Sequence, residues 1–331
     1  MISRTQRPRK RKKRRLRFFR VFMTVFILLL AGAGIYFYNV YSDVVNAVDK
    51  MHKPLARTVS SQRSTQVKFN RQDPITILLV GVDQRPGDSG RTDSMIVATV
   101  NPKTKTTTLV SIPRDTKTRI VSTAKPSKDR ITKINAAYAY GGIDMTIDTV
   151  ENFLNIPIDY YVQVNMQGFK DIVNAVGGID VNNQYAFELD GVTLKKGPQH
   201  LNGLQALEYA RMRHEDPRGD FGRQERQREV ISKVIHKGAS ISTLTNYNNI
   251  LKALEDNIQT NLTMDDIIGI QSQYKVAAKT INKIEIPGDG ENTSSGWYYF
   301  ISDKTRQQLS DQLRKQLKLK PSTVSRINIY Q

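Results

Sequence analysis

Asp83, Arg85, Arg91 and Asp93 alternate in sign within GVDQRPGDSGRTDSM, a stretch rich in Gly, Pro and Ser that begins at Gly81. Two carboxylates on one loop can hold a hard cation, and guanidiniums beside them can clamp anionic oxygens. The same alternation also suits a solvated surface loop. A second pair, Arg114 and Asp115, follows Pro113 at the end of TLVSIPRD, where it reads either as a surface ion pair or as an anion ligand held at a sheet edge. The third set is Arg211, Arg213, Asp220, Arg223, Gln224, Arg226, Gln227 and Arg228, in ARMRHEDPRGDFGRQERQR. So many guanidiniums repel one another unless anions neutralise them. Nearby Glu and Asp can do this, and so can phosphate, whose oxygens match the planar fork of arginine. Of the four histidines, His214 stands beside this set as a neighbour; the four are too widely spaced for a metal site.

The elements that must carry these residues follow from pattern. ITILLVGVD is a continuous apolar run, as expected of a strand buried on both faces, and it delivers Asp83 at its carboxyl end. Ligand-binding loops collect at such ends in open α/β sheets. MIVATVNP and TTTLVSIPRD form a hairpin joined through Asn101 to Lys105. Ile134 to Leu154 has helical spacing interrupted by Gly141-Gly142, DYYVQVN is a strand, and MQGFKDIVNAVGG is a helix stopped by Gly177 and Gly178. Asn202 caps a helix with Leu204, Leu207 and Tyr209 as packing residues. Phe221 to Lys237 is a helix with an apolar stripe of Val230, Ile231, Val234 and Ile235 behind its arginine-rich first half. TINKIEIPG is a strand, and Asp303 to Leu319 a helix with Leu309, Leu313 and Leu317 inward. The fold class is α/β: a mixed central sheet covered by helices on both faces.

Eleven Lys or Arg and no acid lie between Met1 and Arg20, which leaves +8 of the formal +19 for the rest of the 331 residues. Val21 to Ser42 carries no charge and is long enough to cross the roughly 30 Å hydrocarbon layer as a helix. The basic block before it sets a cytoplasmic N-terminus and contacts anionic membrane lipid. A cleaved signal peptide is the alternative, with Ala31-Gly32-Ala33 as the cleavage site, but Tyr36, Phe37 and Tyr38 suit an interfacial belt and favour an uncleaved anchor. The expected organisation is a basic tail over 1–20, an anchor over 21–42, an extracytoplasmic linker over 43–73 and a globular domain over 74–331. No nucleic-acid partner is expected, because the folded domain lies across the membrane from DNA and the tail contains no recognition module. The chain has no Cys, which excludes thiolate catalysis, and no Gly-x-Ser-x-Gly, phosphate-loop or His-Glu-x-x-His motif.

In ILLVGVDQR, GRTDSMIVATVNP, LVSIPRDT, KINAAYAYGG, the run from DYYVQVN through GGIDV, LNGLQALEYARMRH and DFGRQERQ, the chain resembles the LytR-CpsA-Psr family. These stretches occur in family order from about Ile77 to Val230. The resemblance implies transfer of an anionic glycopolymer, such as wall teichoic acid or capsular polysaccharide, from an undecaprenyl-pyrophosphate carrier to peptidoglycan through a phosphodiester. It implies Mg2+ on Asp83 and Asp93, with Mn2+ fitting equally well. It also implies pyrophosphate binding by Arg85, Arg91, Arg114, Arg211, Arg213 and Arg223 with Gln227 nearby, catalysis centred on Asp93, Arg91 and Arg114, and a polyprenyl tunnel lined by Ile134 to Leu154 and Phe169 to Val176. The alternatives of other classes are a membrane-tethered regulator, a polyprenyl-pyrophosphate hydrolase and a peptidoglycan-binding scaffold.

Overall fold

The computed structural model describes residues 10–83, 90–122, 130–240 and 254–327. It divides into two units, Met1–Asn46 and Ala47–Gln331. The first is occupied by helix α1, Lys10–Met51, which continues into the second. Between Phe22 and Met51 it is long and apolar enough to cross a membrane. Its large side chains there, such as Phe22, Leu29 and Tyr38, are exposed, as a helix in contact with hydrocarbon requires.

The second unit is built on a six-stranded mixed sheet. β1 (Ile75–Asp83) pairs antiparallel with β2 (Arg91–Asn101), which pairs antiparallel with β3 (Thr106–Ser111) through a tight turn. Asn101 Oδ1 accepts from the amides of Lys103 and Thr104 in that turn, and Lys105 takes φ 57°. The four-residue strands β4 (Lys117–Ile120) and β5 (Arg130–Lys133) lead into α2, Ala136–Leu154, which kinks at Gly141 and Gly142 as its sequence implies. β6 (Tyr160–Val164) returns parallel to β1.

α3 (Met166–Ala175), capped by the Asn165 side chain, leads to β7 (Ile179–Asn183), β8 (Phe187–Leu189), β9 (Val192–Leu194) and β10 (Gly197–Leu201). α4 (Gly203–Arg211) starts in a capping box between Asn202 and Gln205, and α5 spans Asp220–Ser240. β11 (Ile258–Thr260) closes one sheet edge, α6 is Met264–Gln273, and β12 (Thr280–Glu285) adds parallel to β3 on the other. The hairpin β13 (Asp289–Thr293) and β14 (Gly296–Phe300) precedes the final helix α7, Asp303–Gln316.

Alternation along β1 divides the core. Leu78, Val80 and Val82 point to one face, where α2 and α7 supply Ile147, Val150, Phe153, Leu309 and Leu313. Ile77 and Leu79 point to the other, against Ile231 and Ile235 of α5. The stripe expected on α5 therefore serves two contacts, since Val230 and Val234 turn to a separate cluster with α4 and β7. Leu204 departs from expectation: it is exposed while Leu207 and Tyr209 are buried, because its place in the first turn of α4 looks away from that cluster. Two arginines of α7 hold the end of α2. Arg306 donates to the carbonyls of Phe153 and Asn152, and Arg314 to that of Asn155, satisfying acceptors the helix leaves unpaired.

The stretch read as a linker is tied to the domain. Arg57 forms a two-pronged ion pair with Glu151 at 2.5 and 2.6 Å, Ser60 donates to the same carboxylate, and Arg63 grips Asp159 at 2.6 and 2.8 Å. Ala47, Val48 and Met51 are already buried, so the folded unit begins ahead of Pro74.

Candidate active site

Asp93 owes its direction to an interruption in the ladder. Gly81 pairs with Ser94 and Val82 with Thr92, so Asp93 is the extra residue of a β-bulge on β2. Bulges of this kind turn one side chain away from the alternation of its neighbours. Gly81 permits the close approach, since a Cβ there would stand 3.3 Å from Ser94 Cβ.

Arg114 comes from the opposite side. After Ile112 the chain turns at Pro113, with Thr116 returning both its N–H and its hydroxyl to the Pro113 carbonyl. The Arg114 carbonyl accepts from Asn135 N–H at the start of α2, which fixes the turn. From there Arg114 Nη1 donates to Asp93 Oδ1 at 2.7 Å, and its Nε lies 3.4 Å from Asp115 Oδ2. Lys133, a lone basic residue without a sequence signal of its own, pairs with Asp115 at 2.7 Å.

The third contribution is the first turn of α5. Asp220 pairs with Arg223 at 2.6 Å and accepts from Gln224, while Gln227 accepts from Ser94 Oγ at 3.0 Å, linking α5 to the bulge. The helix is set in place by Gly222, where any side chain would collide with the Asp216 carboxylate. Asp216 is itself buried and bound to Arg226, whose remaining N–H groups reach the carbonyls of Tyr209 and Met212. Arg226 is thus a structural tie between α4 and α5, not a ligand-facing arginine. Arg228 is buried beside Glu285, 3.6 Å away.

Asp93, Ser94, Ser111, Arg114, Asp220, Arg223, Gln224 and Gln227 together line a narrow cleft. Burial pulls the Arg114 guanidinium down, but Asp93, by hydrogen bond and charge, leaves it above its ordinary range. Burial also pulls Arg223 down, and there it prevails, helped by Arg114 and Arg213 and opposed by Asp220 and Asp93. Nε of Arg223 and Oε1 of Gln224 are buried with no hydrogen-bond partner, as is Oγ of Ser111. An unmade hydrogen bond of this sort costs about 1–3 kcal/mol, so an oxygen-rich anion would be received by the Arg223 and Ser111 donors, already desolvated, while Gln224 Oε1 can only accept.

Not every anticipated residue meets here. Arg213 is near enough to depress Arg223. Arg211 is engaged elsewhere, with Asp190 at 2.6 Å and Glu208 at 2.9 Å. Arg91 is exposed and sits opposite Asp83 at the end of the β1–β2 ladder. Arg85 lies outside the described residues, and of Asp83 only the backbone is described. Among the described residues there is no group of three or more His, Asp or Glu able to cage a metal. Of the expected metal ligands, Asp93 is the described carboxylate that borders the orphaned donors, where a hard cation would share it with substrate phosphates. The buried side chains of α2 and α3 fall into different clusters, so the tunnel walls remain an expectation.

Comparison with known proteins agrees with this architecture. The LytR_cpsA_psr family model matches residues 38–315. A polyisoprenyl-teichoic acid–peptidoglycan teichoic acid transferase TagU of Bacillus mycoides is 49% identical over 293 residues, covering 88% of this chain and 95% of that protein. The crystal structure of Bacillus subtilis TagU is 46% identical with a TM-score of 0.59, covering 75% of this chain and 98% of that one. A structure of TagT bound to LIIa-WTA is 31% identical with a TM-score of 0.68, covering 81% of this chain and 100% of that one. On sequence and fold alike, the chain is a member of the LytR_cpsA_psr family.

Proposed function

We propose that this protein transfers an anionic glycopolymer, of the teichoic acid type, from an undecaprenyl-pyrophosphate carrier to peptidoglycan, forming a phosphodiester. The observation that carries the proposal is the cleft itself: two guanidiniums from separate elements, each with a buried Nε that has no hydrogen-bond partner, around a carboxylate raised on a bulge. The similar proteins named as teichoic acid transferases supply the substrate class.

Arg114 and Arg223, with Arg213 behind them, bind the pyrophosphate oxygens and neutralise charge as it shifts to the leaving group. Gln227 and Ser94 fix the bulge of β2 relative to α5. The acceptor hydroxyl attacks the phosphorus next to the polymer, the bond to undecaprenyl phosphate breaks, and a carboxylate, assigned to Asp93, takes the hydroxyl proton. Arg85 and Arg91 complete the anion-binding set, with Arg211 recruited from Asp190 and Glu208. Magnesium or manganese held by Asp83 and Asp93 would supply further neutralisation of the phosphates. The anchor over 21–42 places the N-terminus in the cytoplasm and the enzyme outside the membrane, facing its lipid-linked donor.

The test is to incubate the full chain with a polyprenyl-pyrophosphate-linked saccharide and peptidoglycan fragments, with and without magnesium, and to follow products by mass spectrometry. A metal-dependent phosphodiester product is expected. Release of phosphorylated sugar alone would replace transfer by hydrolysis, and no turnover would sink the reading.

A further inference from the structure

We propose that the β13–β14 hairpin carries a carbohydrate-stacking subsite, centred on Trp297, for the acceptor glycan; this deepens the function proposed above and rests on it. Trp297 is the one tryptophan of the chain and is 39% exposed. Side chains of this size are ordinarily buried over most of their surface. Trp297 and Tyr299 share one face of β14, their rings 6.4 Å apart and 21° from parallel. Across the ladder, Asn292 stands opposite Trp297 and Gly290 opposite Tyr299. A Cβ on Gly290 would lie 2.6 Å from the indole, which therefore rests against bare backbone and presents its remaining surface outward.

This aromatic surface leads to the cleft. The Tyr299 ring is 5.3 Å from that of Phe221, the residue after Asp220. Tyr299 N–H donates to the Asp115 carbonyl at 3.0 Å, next to Arg114. The hairpin is thus fixed to both elements that supply the guanidiniums. A flat apolar ring beside an amide is how proteins hold pyranose rings, whose C–H faces stack while their hydroxyls hydrogen-bond. Charge selects between the two saccharides of the reaction. Asp289 and Glu291 are exposed on β13, opposite Phe300 and Tyr298 and so on the face turned away from Trp297, and no Lys or Arg lies between Gly288 and Phe300. The net negative charge of the hairpin disfavours a phosphate-rich donor polymer and admits a glycan bearing hydroxyl and acetamido groups.

A single tryptophan makes the test direct. The full chain in detergent micelles is titrated with an oligosaccharide of alternating N-acetylglucosamine and N-acetylmuramic acid, and separately with the lipid-linked donor, while indole emission is followed. A saturable emission change with the glycan and none with the donor is expected. In steady-state transfer, Trp297→Ala is expected to raise the acceptor KM about tenfold with kcat at saturation little changed, equivalent to the roughly 1.4 kcal/mol of one stacking contact. Trp297→Phe should recover most of that loss. Emission that responds to the donor alone, or to neither, overturns the subsite whatever the turnover. A glycan response in a chain that transfers nothing would keep the subsite and remove the transferase reading. If Trp297→Ala unfolds, the titration of the unaltered chain decides.

Discussion

Arg114 and Arg223 reach the same cleft from a strand-end turn and a helix start, and each is already paired with a carboxylate, Asp93 and Asp220. The cleft is therefore neutralised in advance, and a ligand must exchange these pairs for its own oxygens. What distinguishes arginine here is the fork, not the charge. Arg114→Lys keeps the cation and loses the planar donor pair, so initial rates of polymer transfer should fall about a hundredfold, with unchanged folding by circular dichroism. A lysine variant of wild-type rate would reject the bidentate role. Asp93 is 41% exposed and its ion pair contributes little to stability, about 0–1 kcal/mol. Asp93→Asn should accordingly melt at the wild-type temperature yet lose magnesium-dependent turnover. A large drop in melting temperature would instead make Asp93 a structural residue.

At the scale of elements, the critical joint is between α4 and α5, because it sets where Arg223 and Gln227 stand. Arg226 and Asp216 form it, both buried, with Gly222 leaving room for the Asp216 carboxylate. Burial pushes Asp216 upward, but the Arg218 backbone N–H and the Arg226 guanidinium outweigh it and hold the carboxyl below its usual range. A depressed folded pKa means that Asp216 contributes stability above its unfolded value, about 3.9, and that this contribution is lost as pH falls through the folded value. Asp216→Asn should then cost about 3 kcal/mol near neutral pH, measured by denaturant midpoint, with the difference shrinking below about pH 4. A pH-independent difference would rule out the charge as its source. The sequence displayed Arg226 alongside Arg223 and Arg228 with nothing to separate them. Their roles differ because helical rotation sends Arg226 toward α4, Arg228 toward Glu285 and Arg223 toward the cleft.

For the molecule as a whole, the segment between anchor and sheet is part of the folded unit. Burial pushes the Glu151 carboxyl up in spite of Arg57, Ser60 and the Ile158 N–H, and two of those three partners come from the segment ahead of the sheet. A chain beginning at Pro74 would leave Glu151 and Asp159 without Arg57 and Arg63, and should melt about 10 °C or more below one beginning at Asp43 in scanning calorimetry. Equal melting temperatures would return this stretch to the status of a spacer. The sequence by itself determined the uncharged N-terminal span, the apolar strand ending in Asp83, the glycine-broken helix α2 and the set of arginines, because these depend on local pattern: hydrophobic period, turn chemistry and charge order along the chain. Only the tertiary structure decided that Asp93 is raised on a bulge, that Leu204 faces water, that Lys133 joins Asp115, and which arginines are ties and which line the cleft. Those outcomes depend on the register between strands and the rotation of helices against them, which are fixed by packing between residues far apart in sequence.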